Sequence, residues 1–366
     1  VNSGALTTLN LSGSLVTVNA GTLGALTTAA NDTLALNVNG ATSTGAVTID
    51  ADIKTLNLAA SGDASKFANL VTSATTYNVT GSAMELTAST NAALKTVNAV
   101  NSAGFKMDDI NASTTFTGGA GADAVTLANA METVIDMGAG DDTVTYGGAT
   151  STAAGKVGAV KGGDGNDTIS MTSAQADAAD ATAAFNTSFT GFEILKISDV
   201  LAGGDTIKLD GLGQVKSVVL AAGGVDAATS IIQNLASGGT VETQATGTNG
   251  FVVQVDNAAL QAADTLNLVL TNSTAATDAF SSITAADVET INIATKDAGT
   301  GANTAATVDT ATLVATSAKS ITVSGNNGLT LTNTGNAAVT SFDATGVVGD
   351  AAEDTAALLG VTFASA

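Results

Sequence analysis

A short phrase, an apolar residue, Asn and a second apolar residue, keeps returning along this chain. It reads Thr8-Leu9-Asn10-Leu11, Ala35-Leu36-Asn37-Val38, Thr55-Leu56-Asn57-Leu58, Thr76-Tyr77-Asn78-Val79 and Thr96-Val97-Asn98-Ala99. The Asn residues lie 27, 20, 21 and 20 apart, and the phrase returns at Thr265-Leu266-Asn267-Leu268 and Thr290-Ile291-Asn292-Ile293, 25 apart. Apolar and polar residues alternate in each copy, the period of a half-buried strand. The segments between carry Gly, Ser, Asn and Thr, which favour turns. A repeat near 20 residues matches one coil of a β-solenoid, with two or three short strands per coil and coils stacked about 4.8 Å apart. The expected fold is all-β: a parallel β-solenoid (β-helix) with apolar ladders inside and side insertions. At that period a chain of this length winds roughly 18 coils. A Thr/Asn-rich antiparallel β-sandwich is the competing architecture. Two stretches read as short helices: the Ala-rich run Ala174 to Ala184, as a helix or a loop packed on the side of the solenoid, and Asp63 to Thr72.

Composition narrows the chemistry. The 366 residues contain no His, Cys, Pro or Trp, and only two Tyr, Tyr77 and Tyr146. A Ser-His-Asp triad, a Cys nucleophile, a disulfide and the usual structural zinc are thereby excluded. Stacking platforms for sugars or bases are hard to build. Eleven basic residues against 33 acidic ones give a net charge of −22, which argues against nucleic acid and against simple attraction to an anionic membrane. No long uninterrupted apolar run suggests a membrane span. The chain opens at Val1 without a signal-like segment, so it is expected either to be a fragment or to carry its export signal elsewhere. An acidic chain of this kind is suited to hard cations.

The middle of the chain supplies such a place. Three glycine-aspartate turns follow one pattern, G-G-x-G-x-D-x-U-x, with U a large apolar residue. They are Gly118 to Thr126, Met137 to Thr145 and Gly162 to Ser170, the second with Met137 in place of the first Gly. Gly permits the tight turn that aims carbonyl oxygens at one point, and the sixth-position Asp adds a carboxylate. Val125, Val144 and Ile169 are expected to point inward and anchor the next strand. One turn supplies too few oxygens for calcium, which takes about 6–8, whereas two stacked turns supply enough. The turns start 19 and 25 residues apart, about one coil each, with a loop inserted at Tyr146 to Lys161. Thr133 to Asp136 is expected as a return strand. All three turns should therefore stack on one edge and form two inter-turn sites, while the opposite edge, Ala128 to Glu132, stays free of calcium.

These turns resemble the RTX calcium-repeat family, whose members leave Gram-negative bacteria by type I secretion. The Thr/Ala/Asn-rich strand phrases beside a short RTX block further resemble surface-layer (S-layer) proteins of the Caulobacter type. Leu6 to Gly13, Thr33 to Thr48, Phe116 to Leu127, Met137 to Thr145, Gly191 to Ser198, Val288 to Ala294 and Ala315 to Ala344 carry that likeness. The resemblance implies one calcium held by carbonyls at positions two and four of one turn and one and three of the next, with both sixth-position carboxylates. Carried over, the first site is Gly119, Gly121, Asp123, Met137, Ala139 and Asp142. The second is Gly138, Gly140, Asp142, Gly162, Asp164 and Asp167. Further calcium contacts implied by the likeness are Asp108, Asp109, Asp205, Asp343, Glu353 and Asp354.

On this reading the chain divides into a Thr/Asn-rich β-solenoid over 1–111, an RTX calcium-binding β-roll with inserted loops over 112–200, and a second β-rich solenoid region over 201–366. The resemblance implies an extracellular, self-assembling lattice protein whose partners are copies of itself, with cell-surface polysaccharide contacted through a region outside this sequence. An RTX adhesin or glycan-binding module is the alternative. Catalysis is not expected. A lyase or epimerase on a β-helix usually needs basic or Tyr side chains beside its carboxylates. Adjacent pairs such as Asp141-Asp142 point to opposite faces of a strand rather than converging as a glycosidase pair.

Overall fold

The computed structural model describes residues 6–20, 32–89, 91–127, 131–147, 159–181, 183–213, 215–223, 229–247, 249–272, 278–297, 308–337, 339–348 and 359–365. The chain forms two compact units, Val1–Ser170 with Ala184–Phe192, and Met171–Ala183 with Glu193–Ala366. The fold is all-β, a parallel β-solenoid, and the two units together carry about 13 turns. The count falls below the sequence expectation because many coils exceed 20 residues. In the second unit the strands Thr240–Thr243, Thr265–Asn272, Thr290–Asp297 and Ser320–Gly325 start 25, 25 and 30 residues apart.

In the first unit, strands from successive coils pair in parallel on two faces. One column runs Leu34, Leu56, Tyr77, Val97, Phe116, Ile135 and Val160 in continuous register, each at most 1% exposed. An antiparallel sandwich is ruled out, since every neighbour in this column is a parallel partner. Thr55–Ser61 shows why: its residues alternate between buried and half-buried, so Leu56 and Leu58 enter the coil while Asn57 stays outside. The outer Asn residues have a role of their own. Asn37 Nδ2 donates to Asn10 Oδ1 at 2.8 Å, and Asn78 Nδ2 to Asn57 Oδ1 at 2.8 Å. In the second unit Asn292 Nδ2 donates to Asn267 Oδ1 at 2.9 Å. The strand spacing brings like amides within reach, giving side-chain ladders alongside the backbone ladder.

The stretch Asp63 to Thr72 is not helical. Ser65–Val71 is a strand that pairs with Thr33–Ile49 on one side and Met84–Leu86 on the other, and this pairing overrides local helix propensity. The Ala-rich run does form a helix, Ser173–Asp180, followed by Ala183–Ser188. Thr172 caps the first in a capping box with Gln175. Asp177 accepts from the Thr206 N–H at 3.2 Å and Asp180 from the Lys208 N–H at 2.6 Å. Two helix carboxylates thus occupy N–H groups of the strand Thr206–Lys208, which would otherwise face an open edge. Phe185 and Phe192 are buried, and Phe185 stacks on Phe189 with centroids 4.2 Å apart. Among the described residues no helix is long and apolar enough to cross a membrane.

Candidate metal centre

The three glycine-aspartate turns lie on one edge of the first unit. Ala124, Thr143 and Thr168, the residues following the sixth-position aspartates, are in direct parallel register. Val125, Val144 and Ile169 are buried, at 2%, 0% and 1% exposure. The return strand is present as Ile135–Asp136. Of the edge Ala128 to Glu132, residues 128–130 lie outside the described residues, as do 148–158 of the inserted loop.

Asp123, Asp142 and Asp167 stack as a ladder, none more than 2% exposed. The Phe105 N–H donates to Asp123 Oδ1 at 2.6 Å, the Asp123 N–H to Asp142 Oδ1 at 2.7 Å, and the Asp142 N–H to Asp167 Oδ1 at 2.9 Å. Asp123 Oδ2 also accepts from the Gly119 N–H at 3.1 Å. Asp142 Oδ2 is buried without a hydrogen-bond partner. Asp141, by contrast, is exposed and accepts from the Asn166 N–H at 3.0 Å. The adjacent pair therefore diverges.

The two proposed sites differ in their backbone. Gly138 and Gly140 take φ of +97° and +129°, and Gly163 and Gly165 repeat this with +116° and +147°. Gly119 and Gly121 are not in the left-handed region. The second and third turns are thus alike, and the first is different. Gly138 O accepts from the Asp164 N–H at 2.9 Å, and Asp164 O accepts from the Gly140 N–H at 2.8 Å. In the first site Gly119 O accepts from the Ala139 N–H at 2.7 Å. Met137 fits its position without positive φ and is fully buried; its carbonyl packs over Gly118. Gly162 is confined chiefly by another coil, because a Cβ there would sit 1.9 Å from Gly191 O, and also by its own turn, with Asp167 Oδ2 at 2.7 Å.

No protein-family model and no curated protein matches the chain. The RTX and surface-layer likeness therefore rests on the residues themselves.

The donor set suits a hard cation. Gly138, Gly140, Gly162 and Asp164 offer carbonyl oxygens, each with two lone pairs, and Asp142 and Asp167 offer carboxylates. Among the described residues no three acidic side chains are grouped to hold a metal by themselves, so a site here depends on backbone carbonyls. The scattered candidates are not brought together. Asp108 Oδ2 accepts from the Ala88 N–H, Asp205 Oδ2 from the Ser173 hydroxyl, and Asp343 Oδ1 from Thr345. Asp109 holds a left-handed φ of 55°, and Glu353 and Asp354 lie outside the described residues.

One corner of the second unit escaped sequence reasoning. The Asp278 N–H donates to Asp309 Oδ1 at 2.8 Å and the Thr310 N–H to Asp278 O at 2.9 Å, matching the Asp123 N–H bond to Asp142 Oδ1 and the Thr143 N–H bond to Asp123 O at 2.9 Å. Asn272 and Asn327 amides complete the Asp309 shell. No glycine motif marks it. The available signal was the Asp-Thr pair at the start of a strand, shared by Asp142-Thr143, Asp167-Thr168 and Asp309-Thr310.

Burial pushes the Asp142 carboxyl up to about 7; the Asp123 N–H opposes this, and the charges of Asp123, Asp167 and Asp141 add to it. Burial also raises Asp123 and takes Asp309 to about 6. Unfolded, these groups release protons near 3.8. Between about pH 4 and 7 the metal-free folded state holds protons that the unfolded chain has lost, so its stability falls as pH rises. Urea midpoints followed by circular dichroism in chelator should decline across that window. Millimolar calcium should remove or reverse the decline by holding the ionised form. A flat or rising midpoint in chelator would contradict the assignment.

Proposed function

We propose that this chain is a structural subunit of a calcium-dependent, self-assembling bacterial surface layer, exported to the cell exterior, with copies of itself as partners and no catalytic role. The observation that carries the reading is the aspartate ladder at the stacked turns. There, buried carboxylates lie against one another and one oxygen, Asp142 Oδ2, has no hydrogen-bond partner. Buried charge of one sign needs a counter-charge, and the residues at hand are oxygen donors of the kind calcium takes. Gly138, Gly140, Asp142, Gly162, Asp164 and Asp167 would hold one ion. Gly119, Gly121, Asp123, Met137, Ala139 and Asp142 would hold another. Bound calcium would supply positive charge and folding free energy at the corner.

The chain's part follows from its composition. With 33 acidic residues and 11 basic ones, self-repulsion and loop entropy oppose closure of the glycine turns. In low-calcium cytosol the chain stays open and fit for export; in calcium-rich surroundings the turns close, and the coils stack on them. The absence of Cys fits folding outside the cell with no disulfide to form. Electron microscopy and light scattering of the full-length protein test the reading. Ordered sheets are expected in millimolar calcium and dispersed subunits in chelator. Sheets that form equally well without calcium would overturn it.

A further inference from the structure

Among the described residues, Asp264 is the one carboxylate with both oxygens buried and unbonded. It is 1% exposed, and neither carboxylate oxygen has a hydrogen-bond partner. It sits in the second unit, on the turn that leads from Phe251–Val255 back to Thr265–Asn272. Buried polar atoms are almost always satisfied, and an exception calls for an ion or water that completes it.

The surroundings of Asp264 are rich in oxygen. The Asp264 N–H donates to Glu289 Oε2 at 3.1 Å, which places the Glu289 carboxylate against the Asp264 backbone from the following coil. The next N–H, that of Thr265, donates to Ser237 Oγ at 3.1 Å, which brings a hydroxyl from the preceding coil. Three successive coils thus contribute Ser237, Asp264 and Glu289 to one corner. Asp264 O already accepts from the Thr290 N–H at 3.0 Å. Lys319 lies one coil beyond, its N–H bonded to Glu289 O at 2.9 Å, yet neither carboxylate forms an ion pair among the described residues. Ser237 and Gly238, in the preceding coil, are exposed.

We infer that Asp264, Glu289 and Ser237 form a divalent-cation site of their own, separate from the glycine turns. Asp264 supplies the buried carboxylate, Glu289 the second charge, Ser237 a neutral oxygen, and water the remainder of a calcium shell. The charges are appropriate: two carboxylates from neighbouring coils neutralise one divalent ion. The ion would tie together the three coils that start at Thr240, Thr265 and Thr290.

This inference does not depend on calcium at the glycine turns, and the experiment separates the two. Calcium is titrated calorimetrically into the full chain, into Asp142→Asn/Asp167→Asn, into Asp264→Asn, and into the triple variant, with folding checked by circular dichroism. The Asp142→Asn/Asp167→Asn chain should keep one calcium per chain, which the triple variant loses. Glu289→Gln should weaken that site at least tenfold. If Asp264→Asn fails to fold, Ser237→Ala, at an exposed position, should still weaken the site several-fold. The metal-free melting temperature of Asp264→Asn should rise while its calcium-induced shift shrinks. Equal calcium counts and affinities in the parent and Asp264→Asn would overturn the site, whatever becomes of the glycine turns. So would a calcium-grown crystal with only water beside Asp264.

Discussion

Gly163→Ala is expected to destabilise the first unit by about 3–5 kcal/mol, because it combines backbone strain with a collision. Gly163 holds φ at +116°, and a Cβ there would lie 1.9 Å from Gly138 O. That oxygen belongs to the neighbouring turn and is itself a candidate calcium ligand, so the backbone cannot yield without opening the corner. Gly204→Ala is the control. Its φ is +95° with nothing within 4 Å of the added Cβ, so it carries the strain alone, about 1 kcal/mol. Urea unfolding of the two variants beside the parent separates the effects. Equal small losses would show that the turns do not pack as described. Calcium affinity should fall with Gly163→Ala and stay unchanged with Gly204→Ala.

Phe105→Ala is the second large effect. Phe105 is fully buried and stacks on Phe116 with centroids 6.5 Å apart and planes 9° from parallel. Removing a buried aromatic of this kind costs about 3–5 kcal/mol. The loss should be local. Coils in a solenoid contact mainly their neighbours, and Phe105–Ile110 pairs with Met84–Leu86 and Ala124–Leu127. Hydrogen exchange should therefore quicken first in those strands, and later in Thr33–Ile49. Uniform loss of protection across the first unit would indicate a more cooperative coil stack. Because the Phe105 N–H also holds Asp123, the first of the two turn sites should loosen with it.

The period of the Asn phrase was enough to read the parallel coil, since Asn57, Asn78 and Asn98 do fall in one register. The 19-residue step between the first two glycine turns likewise placed Asp123 and Asp142 on one edge, because it approximates a coil. Reading failed where the interval and the coil length differ. Asn37 and Asn57 are 20 apart, yet Asn37 lies opposite Ala59 and Asn57 opposite Ala35; that coil is two residues longer than the phrase suggests. Ser65–Val71 carries Lys, Ala and Leu, good helix formers, and only its neighbours in the stack make it a strand. The Asp309 corner and Asp264 carry only a two-residue signal, an Asp followed by Thr, and no glycine motif. An isolated Asp looks the same in sequence whether it faces solvent or is enclosed by the next coil.

The Asn ladders carry a chemical vulnerability. In each pair the later amide donates to the earlier carbonyl, so every rung requires an intact –NH2. Hydrolysis of Asn78 or Asn292 to aspartate would delete the donor and leave a carboxylate facing an oxygen one strand spacing away. Deamidation would thus turn a cohesive seam into a repulsive one, and an ageing protein should begin to part along its outer face while its interior is still packed.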